Sequence, residues 1–159
     1  SLQLPVLEKD AKYNDYVPLF AEAGPRINSA IAYLRDTGVK HIVLAAHSCG
    51  AHMAMHWVTR NGDKNIDAYV GIGMGATDYG QLMKEAFPLA KMRVPVLDVY
   101  GSAEYPQVLN MAPARLAEIR KAGNPQSRQI VVPGADHYFH ERNSDLLKAV
   151  ADWLDQLKF

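Results

Sequence analysis

Residues 43–52 read VLAAHSCGAH, and this stretch decides the fold. The run at 41–46 has the length of a β-strand, and its nearly continuous apolar character predicts a strand that is covered on both faces. The residues that follow predict a helix over Cys49–Arg60. Ser48 stands between the two, so the stretch predicts a strand, a tight turn and a helix with a serine at the turn.

The residues around Ser48 are small where a strained turn requires small side chains. Ala46 stands two positions before the serine and Gly50 two positions after it, while His47 and Cys49 flank it directly. Larger side chains at Ala46 and Gly50 would collide with the turn, so the pattern predicts a nucleophile elbow that lifts the Ser48 hydroxyl clear of the sheet. The backbone N–H of Cys49, at the start of the helix, would then face a developing oxyanion. Taken alone, the motif also fits a serine that only caps a helix.

Strand-like and helix-like runs alternate along the rest of the chain. This alternation is typical of an α/β fold with a parallel sheet and right-handed crossovers. Further strands are predicted at residues 2–7, 66–71, 94–101 and 128–132. Further helices are predicted from Pro25 to Gly38, from Pro113 to Ala122, and after a cap at Ser144, with a helical or irregular excursion at 76–92. The length predicts a single domain over residues 1–159.

A hydroxyl nucleophile needs a base, and the base needs an orienting acid. Glu104 follows the strand at 94–101, and His137 follows the strand at 128–132. Because the carboxyl ends of parallel strands lie at one edge of a sheet, Ser48, Glu104 and His137 are expected to converge there. Their chain order of serine, acid and histidine predicts a Ser-His-Glu triad.

Two other carboxylates remain open as the acid of this triad. Asp98 lies inside a predicted strand, so its side chain would face one surface of the sheet rather than its edge. Asp78 follows the strand at 66–71. Both are alternative acids, ranked below Glu104. Cys49 is not the expected nucleophile, because His47 would then occupy a position that must be small; its thiol pKa is expected to be low at the start of a helix.

Neither a metal nor a cofactor is predicted. His52 and His56 stand one helical turn apart, a spacing that can bind zinc, but no third ligand accompanies them. The glycines of residues 71–75 lack the G-x-G-x-x-G spacing of a dinucleotide loop.

The overall composition narrows the classes of partner. Hydrophobic residues make up 48% of the chain and charged residues 21%, which is ordinary globular usage. Lys+Arg and Asp+Glu number 17 each, and a neutral chain has no electrostatic footprint for nucleic acid or for an anionic membrane surface. No apolar run approaches the roughly 20 residues of a membrane span. The predicted triad makes a small-molecule, ester-type substrate the expected partner.

The chain resembles the carboxyl-terminal two-thirds of an α/β-hydrolase, and more particularly the bacterial, uncharacterised DUF3530 family. The likeness is carried by residues 4–7, 11–13, 46–53, 99–102 and 133–137. The resemblance implies a three-layer αβα sandwich without a cap domain, since the excursion at 76–92 is short. It implies hydrolysis of an ester or thioester through an acyl-enzyme, with Ser48 as nucleophile, His137 as base and Glu104 as acid. It also implies a soluble protein of the bacterial cytoplasm or periplasm.

The resemblance fails at the front of the chain. In the parent fold a further strand lies beside the nucleophile strand, and the loop after it supplies a second oxyanion donor; neither is present in this sequence. Either the chain is a fragment of a longer fold or its sheet has rearranged. We expect a fragment, in which the strand at 2–7 does not pair with the strand at 41–46. A catalytically silent module is the alternative function, in which an exposed sheet edge supports self-association or pairing with another chain.

Overall fold

The computed structural model describes residues 1–78 and 80–159. The strands are β1 (Val43–His47), β2 (Ala68–Ile72), β3 (Val96–Gly101) and β4 (Arg128–Val132). The helices are α1 (Tyr13–Tyr16), α2 (Phe20–Asp36), α3 (Cys49–Asn61), α4 (Pro106–Ala122) and α5 (Asn143–Leu154). Short 3₁₀ turns occupy Val17–Leu19 and Leu89–Lys91.

The four strands form one parallel sheet in the order β1-β2-β3-β4. The register aligns Ala45 with Val70, and Val70 with Leu97. Because every strand runs in the same direction, the carboxyl ends of all four lie at one edge of the sheet, where the loops that follow them meet.

Helices cover both faces of the sheet. On one face Tyr69 of β2 and Val96 of β3 share a buried cluster with Trp57 of α3 and Ile27 of α2. On the other face Val70 and Leu97 pack with Trp153 of α5. Helix α4 packs over Tyr100 at the end of β3. The predicted α/β architecture with helices on both sides of a parallel sheet is confirmed.

Helix α3, which carries the residues after the elbow, is fixed to α2. The indole Nε1–H of Trp57 donates to Asn28 Oδ1 at 2.8 Å. An added Cβ at Gly24 would lie 3.8 Å from the Trp57 ring, so the two helices approach closely at this point. Trp57 is 1% exposed, and burying so large a side chain contributes a few kcal/mol to the docking of α3.

Two boundaries differ from the predictions because prolines occupy helix interiors. Helix α2 begins at Phe20 and contains Pro25, and the preceding short helix and 3₁₀ turn run directly into it. Helix α4 begins at Pro106, a first-turn position where a missing N–H leaves no hydrogen bond unmade, and contains Pro113. The predicted cap at Ser144 is also wrong, because α5 begins at Asn143 with Arg142 as its N-cap.

The front of the chain holds no strand. Residues 2–7 form no regular element, although Leu4 packs against the core. Pro5 lies in the middle of this run and has no N–H to donate to a ladder. Within the described ranges β1 pairs only with β2, so it forms an edge of the sheet. Between β2 and β3 the described residues contain a 3₁₀ turn and no cap domain.

Candidate active site

Ser48 occupies a strained turn between β1 and α3. Its backbone has φ 54° and ψ −122°, a region that residues with a side chain rarely adopt. Its N–H donates to the carbonyl of Ile72 in β2 at 3.0 Å, which ties the turn to the neighbouring strand. A Cβ added at Gly50 would meet Leu4 at 3.8 Å, an ordinary contact, so packing from outside α3 does not itself require glycine there. Ala46 is half-buried against the core.

Three side chains form a continuous hydrogen-bonded chain across the edge of the sheet. Ser48 Oγ lies 2.7 Å from His137 Nε2, and His137 Nδ1 lies 2.7 Å from Glu104 Oε2. The residues follow β1, β4 and β3 respectively, as the parallel topology requires. When Nδ1–H donates to the carboxylate, Nε2 carries the lone pair that accepts the serine proton. The arrangement can therefore activate a hydroxyl nucleophile.

Glu104 and His137 are both withdrawn from water. His137 is 2% exposed and Glu104 is 6% exposed. Glu104 Oε2 also accepts the N–H of Tyr105 at 2.9 Å, whereas Oε1 has no hydrogen-bond partner among the residues that the structure describes. Gly73 lies against this pair, because a Cβ there would stand 2.7 Å from Oε1.

Aromatic rings surround the His137 imidazole. The ring of Tyr105 stacks on it with a centroid distance of 4.4 Å, and Tyr138 meets it edge-on at 5.1 Å. The ring of His47 lies 4.8 Å away, and its Nε2 lies 2.8 Å from the His137 carbonyl oxygen. The neighbouring Tyr138 hydroxyl and burial raise the pKa of Tyr105 to about 12, so Tyr105 stays neutral. Neither tyrosine was predicted from the sequence, although each directly follows a predicted site residue.

Cys49 provides the first N–H of α3. The initial N–H groups of a helix have no intrahelical acceptor, so this one is available to a ligand beside Ser48. The thiol is half-buried, and burial raises its pKa to about 11. The expectation of a lowered thiol pKa is wrong, because burial disfavours the charged thiolate.

The alternative acids are engaged elsewhere. Asp98 is fully buried, and its Oδ2 accepts from Arg115 Nε at 2.8 Å and from Gln129 Nε2 at 2.7 Å. Burial raises the pKa of Asp98, while Arg115 and Gln129 oppose that shift. Asp78 Oδ2 accepts the N–H of Tyr13. Among the contacts of the described residues, neither carboxylate reaches a histidine.

The two histidines of α3 contact different neighbours and do not face a common ligand among the described residues. His52 stacks on Phe20 at 5.9 Å, and its Nε2 lies 3.0 Å from the carbonyl of Ala76. Burial lowers the pKa of His52 to about 4. His56 Nδ1 lies 3.0 Å from Glu85 Oε2. No group of three His, Cys, Asp or Glu side chains suited to a metal occurs within residues 1–78 and 80–159.

A cavity of about 300 Å³ opens beside Ser48. Its walls combine phenol rings with polar groups, and include Lys9, Tyr13, Tyr16, Thr77, Tyr105 and Tyr138. The amino-terminal segment thus contributes to the cavity, through Lys9 and through Tyr13 and Tyr16 of α1. This contribution could not be predicted from the sequence, because the segment forms no strand whose carboxyl end would place it at the edge of the sheet.

The fold is that of the α/β-hydrolases. A protein described as a predicted CIB-like hydrolase, from Thermoplasma acidophilum, matches with a TM-score of 0.65 at 20% sequence identity, over 87% of this chain and 60% of its own. A putative α/β-hydrolase from Agrobacterium tumefaciens matches with a TM-score of 0.66 at 18% sequence identity, over 98% of this chain and 66% of its own. An α/β serine hydrolase homologue from Coxiella burnetii matches with a TM-score of 0.63 at 18% sequence identity, over 96% of this chain and 65% of its own. The chain spans about two thirds or less of the length of these proteins.

The chain belongs to the family described as "Protein of unknown function (DUF3530)", whose profile matches residues 20–156. The resemblance drawn from the sequence is confirmed at this level. No curated protein shows significant sequence similarity to the chain. Across the described residues, no helix is both long and apolar enough to cross a membrane.

Proposed function

We propose that this protein is a serine hydrolase that cleaves carboxylic esters or thioesters through an acyl-enzyme. The observation that carries the proposal is the chain of two 2.7 Å contacts from Ser48 through His137 to Glu104. A strained elbow, a buried imidazole and a carboxylate on its far nitrogen are the parts that an activated serine needs.

The proposed reaction has two halves. In the first, Ser48 Oγ bonds to the substrate carbonyl carbon while His137 Nε2 takes the hydroxyl proton. The C–O or C–S bond to the leaving group then breaks, and the imidazolium returns the proton to that group. In the second, a water oxygen bonds to the acyl carbon while His137 Nε2 takes a water proton. The bond from that carbon to Ser48 Oγ then breaks, the imidazolium returns the proton to Oγ, and the carboxylic acid leaves. Glu104 holds the tautomer and stabilises the imidazolium in both halves.

The oxyanion of each tetrahedral intermediate would be bound by the Cys49 N–H at the start of α3. One such donor contributes on the order of 10²–10³ in rate. The proposal assigns no second donor within this chain.

The cavity supports a small substrate. A volume of about 300 Å³ is at the lower end of the range for small-molecule sites. Short acyl chains and compact leaving groups fit this volume, whereas long lipid chains would extend beyond it.

Covalent labelling tests the proposal. A fluorophosphonate should add its phosphonyl group to Ser48 with loss of fluoride, which intact-mass spectrometry detects. Ser48→Ala and His137→Ala should abolish labelling, whereas Ser144→Ala, at an exposed position of α5, should label like the unaltered chain. A panel of p-nitrophenyl esters from acetate to decanoate should then favour the short acyl chains.

The alternative, a silent hydrolase-fold module, draws on one observation: β1 forms an edge of the described sheet. An open strand edge can pair with another chain. A folded chain that takes no label and associates in solution would favour this reading over the hydrolase.

A further inference from the structure

The loop that carries His137 has an unusual backbone. Phe139 and Glu141 have φ of 54° and 56°, although neither is glycine. Such conformations persist only where the surroundings hold them. Inside the loop, Asp136 Oδ1 accepts the N–H groups of Tyr138 and His140, which fixes the residues after the imidazole.

The His137 carbonyl depends on a contact from outside the loop. His47 Nε2–H donates to this oxygen at 2.8 Å, and within the described part of the chain no other hydrogen-bond donor reaches it. His137 is 2% exposed, so water has little access to the residue. Burial lowers the pKa of His47, which favours a neutral ring that donates from Nε2 and leaves Nδ1 without a proton.

Consecutive residues of the elbow therefore contact opposite ends of His137. Ser48 meets its ring nitrogen, and His47 meets its main-chain oxygen. We infer that His47 is a positioning residue: by donating one hydrogen bond from the last position of β1, directly before Ser48, it fixes the backbone of the general base relative to the nucleophile. The inference rests on the proposed hydrolase function and assigns a task to a residue that the elbow motif itself leaves unspecified.

The donor, rather than the ring, is the part of His47 that matters. His47→Gln keeps a side-chain N–H at similar reach, whereas His47→Met has similar length and no donor, and His47→Phe keeps a ring without one. His41→Phe is the matched control, because His41 is an exposed histidine that stacks on Phe159 away from the site.

The experiment measures the second-order rate of fluorophosphonate labelling and, with a short p-nitrophenyl ester, kcat and KM. A misplacement of about 1 Å costs on the order of 10²-fold in rate. We therefore expect His47→Phe and His47→Met to lose about tenfold to a hundredfold in labelling rate and in kcat, with KM nearly unchanged. The labelling rate and kcat of His47→Gln should lie within about threefold of those of the unaltered chain, because glutamine keeps a donor. The His41→Phe variant should have the same labelling rate and kcat as the unaltered chain.

The outcomes separate the two proposals. If the unaltered, folded chain takes no label, the hydrolase proposal fails and the role of His47 fails with it. If that chain labels and His47→Met labels equally fast, only the role of His47 is overturned. Equal losses in the Gln and Met variants would also overturn it, because the ring would then matter and the donor would not. The Gln and Met pair decides the question even if His47→Phe does not fold.

Discussion

Replacing Gly73 by alanine places one methyl group against the buried pair of Glu104 and His137. Gly73 follows β2 with φ of +57°, a conformation that costs an alanine about 1–2 kcal/mol. The added Cβ would stand 2.7 Å from Glu104 Oε1 and 3.1 Å from both Cε1 and Nδ1 of His137. Neither neighbour can retreat freely, because both are buried and joined to each other at 2.7 Å.

Relief of this contact requires a shift of several tenths of an ångström in the acid, the imidazole or the backbone of Gly73. Shifts approaching 1 Å in a catalytic group cost on the order of 10²-fold in rate. We therefore expect Gly73→Ala to lower the fluorophosphonate labelling rate about 10²-fold, and to lower the free energy of unfolding by about 1–2 kcal/mol or somewhat more. Urea unfolding and timed intact-mass labelling measure the two effects on one preparation.

Gly123→Ala is the control for the cost of placing an alanine at positive φ. Gly123 ends α4 with φ of +79°, and nothing lies within 4 Å of the position that an added Cβ would occupy. The Gly123→Ala variant should have a free energy of unfolding lower by a similar amount, about 1–2 kcal/mol, and an unchanged labelling rate. If Gly73→Ala labels as fast as Gly123→Ala, the close packing of Gly73 on the acid and base has no catalytic consequence, and the reasoning is refuted.

Three further predictions concern the acids and a buried histidine. Glu104→Gln should reduce labelling about 10³-fold or more, whereas folded Asp98→Asn should label within about threefold of the unaltered chain; the reverse result would make Asp98 the acid. Asp98→Ala should lower the free energy of unfolding by about 3–5 kcal/mol in urea, because it leaves the buried Arg115 guanidinium uncompensated, and a loss below about 1 kcal/mol would contradict this. In the folded chain His52 has a pKa of about 4, whereas in the unfolded chain it takes up a proton near pH 6.5. The free energy of unfolding should therefore fall as the pH is lowered from 6.5 towards 4, by about 2 kcal/mol at pH 5 relative to pH 8. His52→Gln can still donate to Ala76 and should lack this component, so an equal acid loss in both proteins would assign it to other groups.

The convergence of the three candidate residues could be predicted from the sequence because each follows a strand. If the runs at 41–46, 94–101 and 128–132 are parallel strands, Ser48, Glu104 and His137 must lie at one edge of the sheet. That inference needs only strand direction and order along the chain, both of which an apolar run and its connections specify. The structure brings these three side chains together.

Other features depend on contacts that local patterns do not encode. Asp98 is held by Arg115, seventeen positions later on α4, and no spacing rule links a strand residue to that helix. Pro25 and Pro113 lie inside helices that are predicted to begin at them, because tertiary packing outweighs the local cost of proline. Alternating apolar residues at 2–7 suggest a strand, but packing of Leu4 on the core needs no ladder.

The three residues of the site are far apart along the chain: 89 positions separate Ser48 from His137, and 33 separate Glu104 from His137. Contacts of such long sequence separation form late, after the loop-closure entropy between them has been overcome. The hydrogen-bonded chain also spans β1 to β4, the two outer strands, so it exists only in molecules whose whole sheet has assembled. During refolding, the helical circular dichroism signal should therefore recover before covalent labelling does. Labelling reports only the fraction of molecules in which the complete sheet has formed.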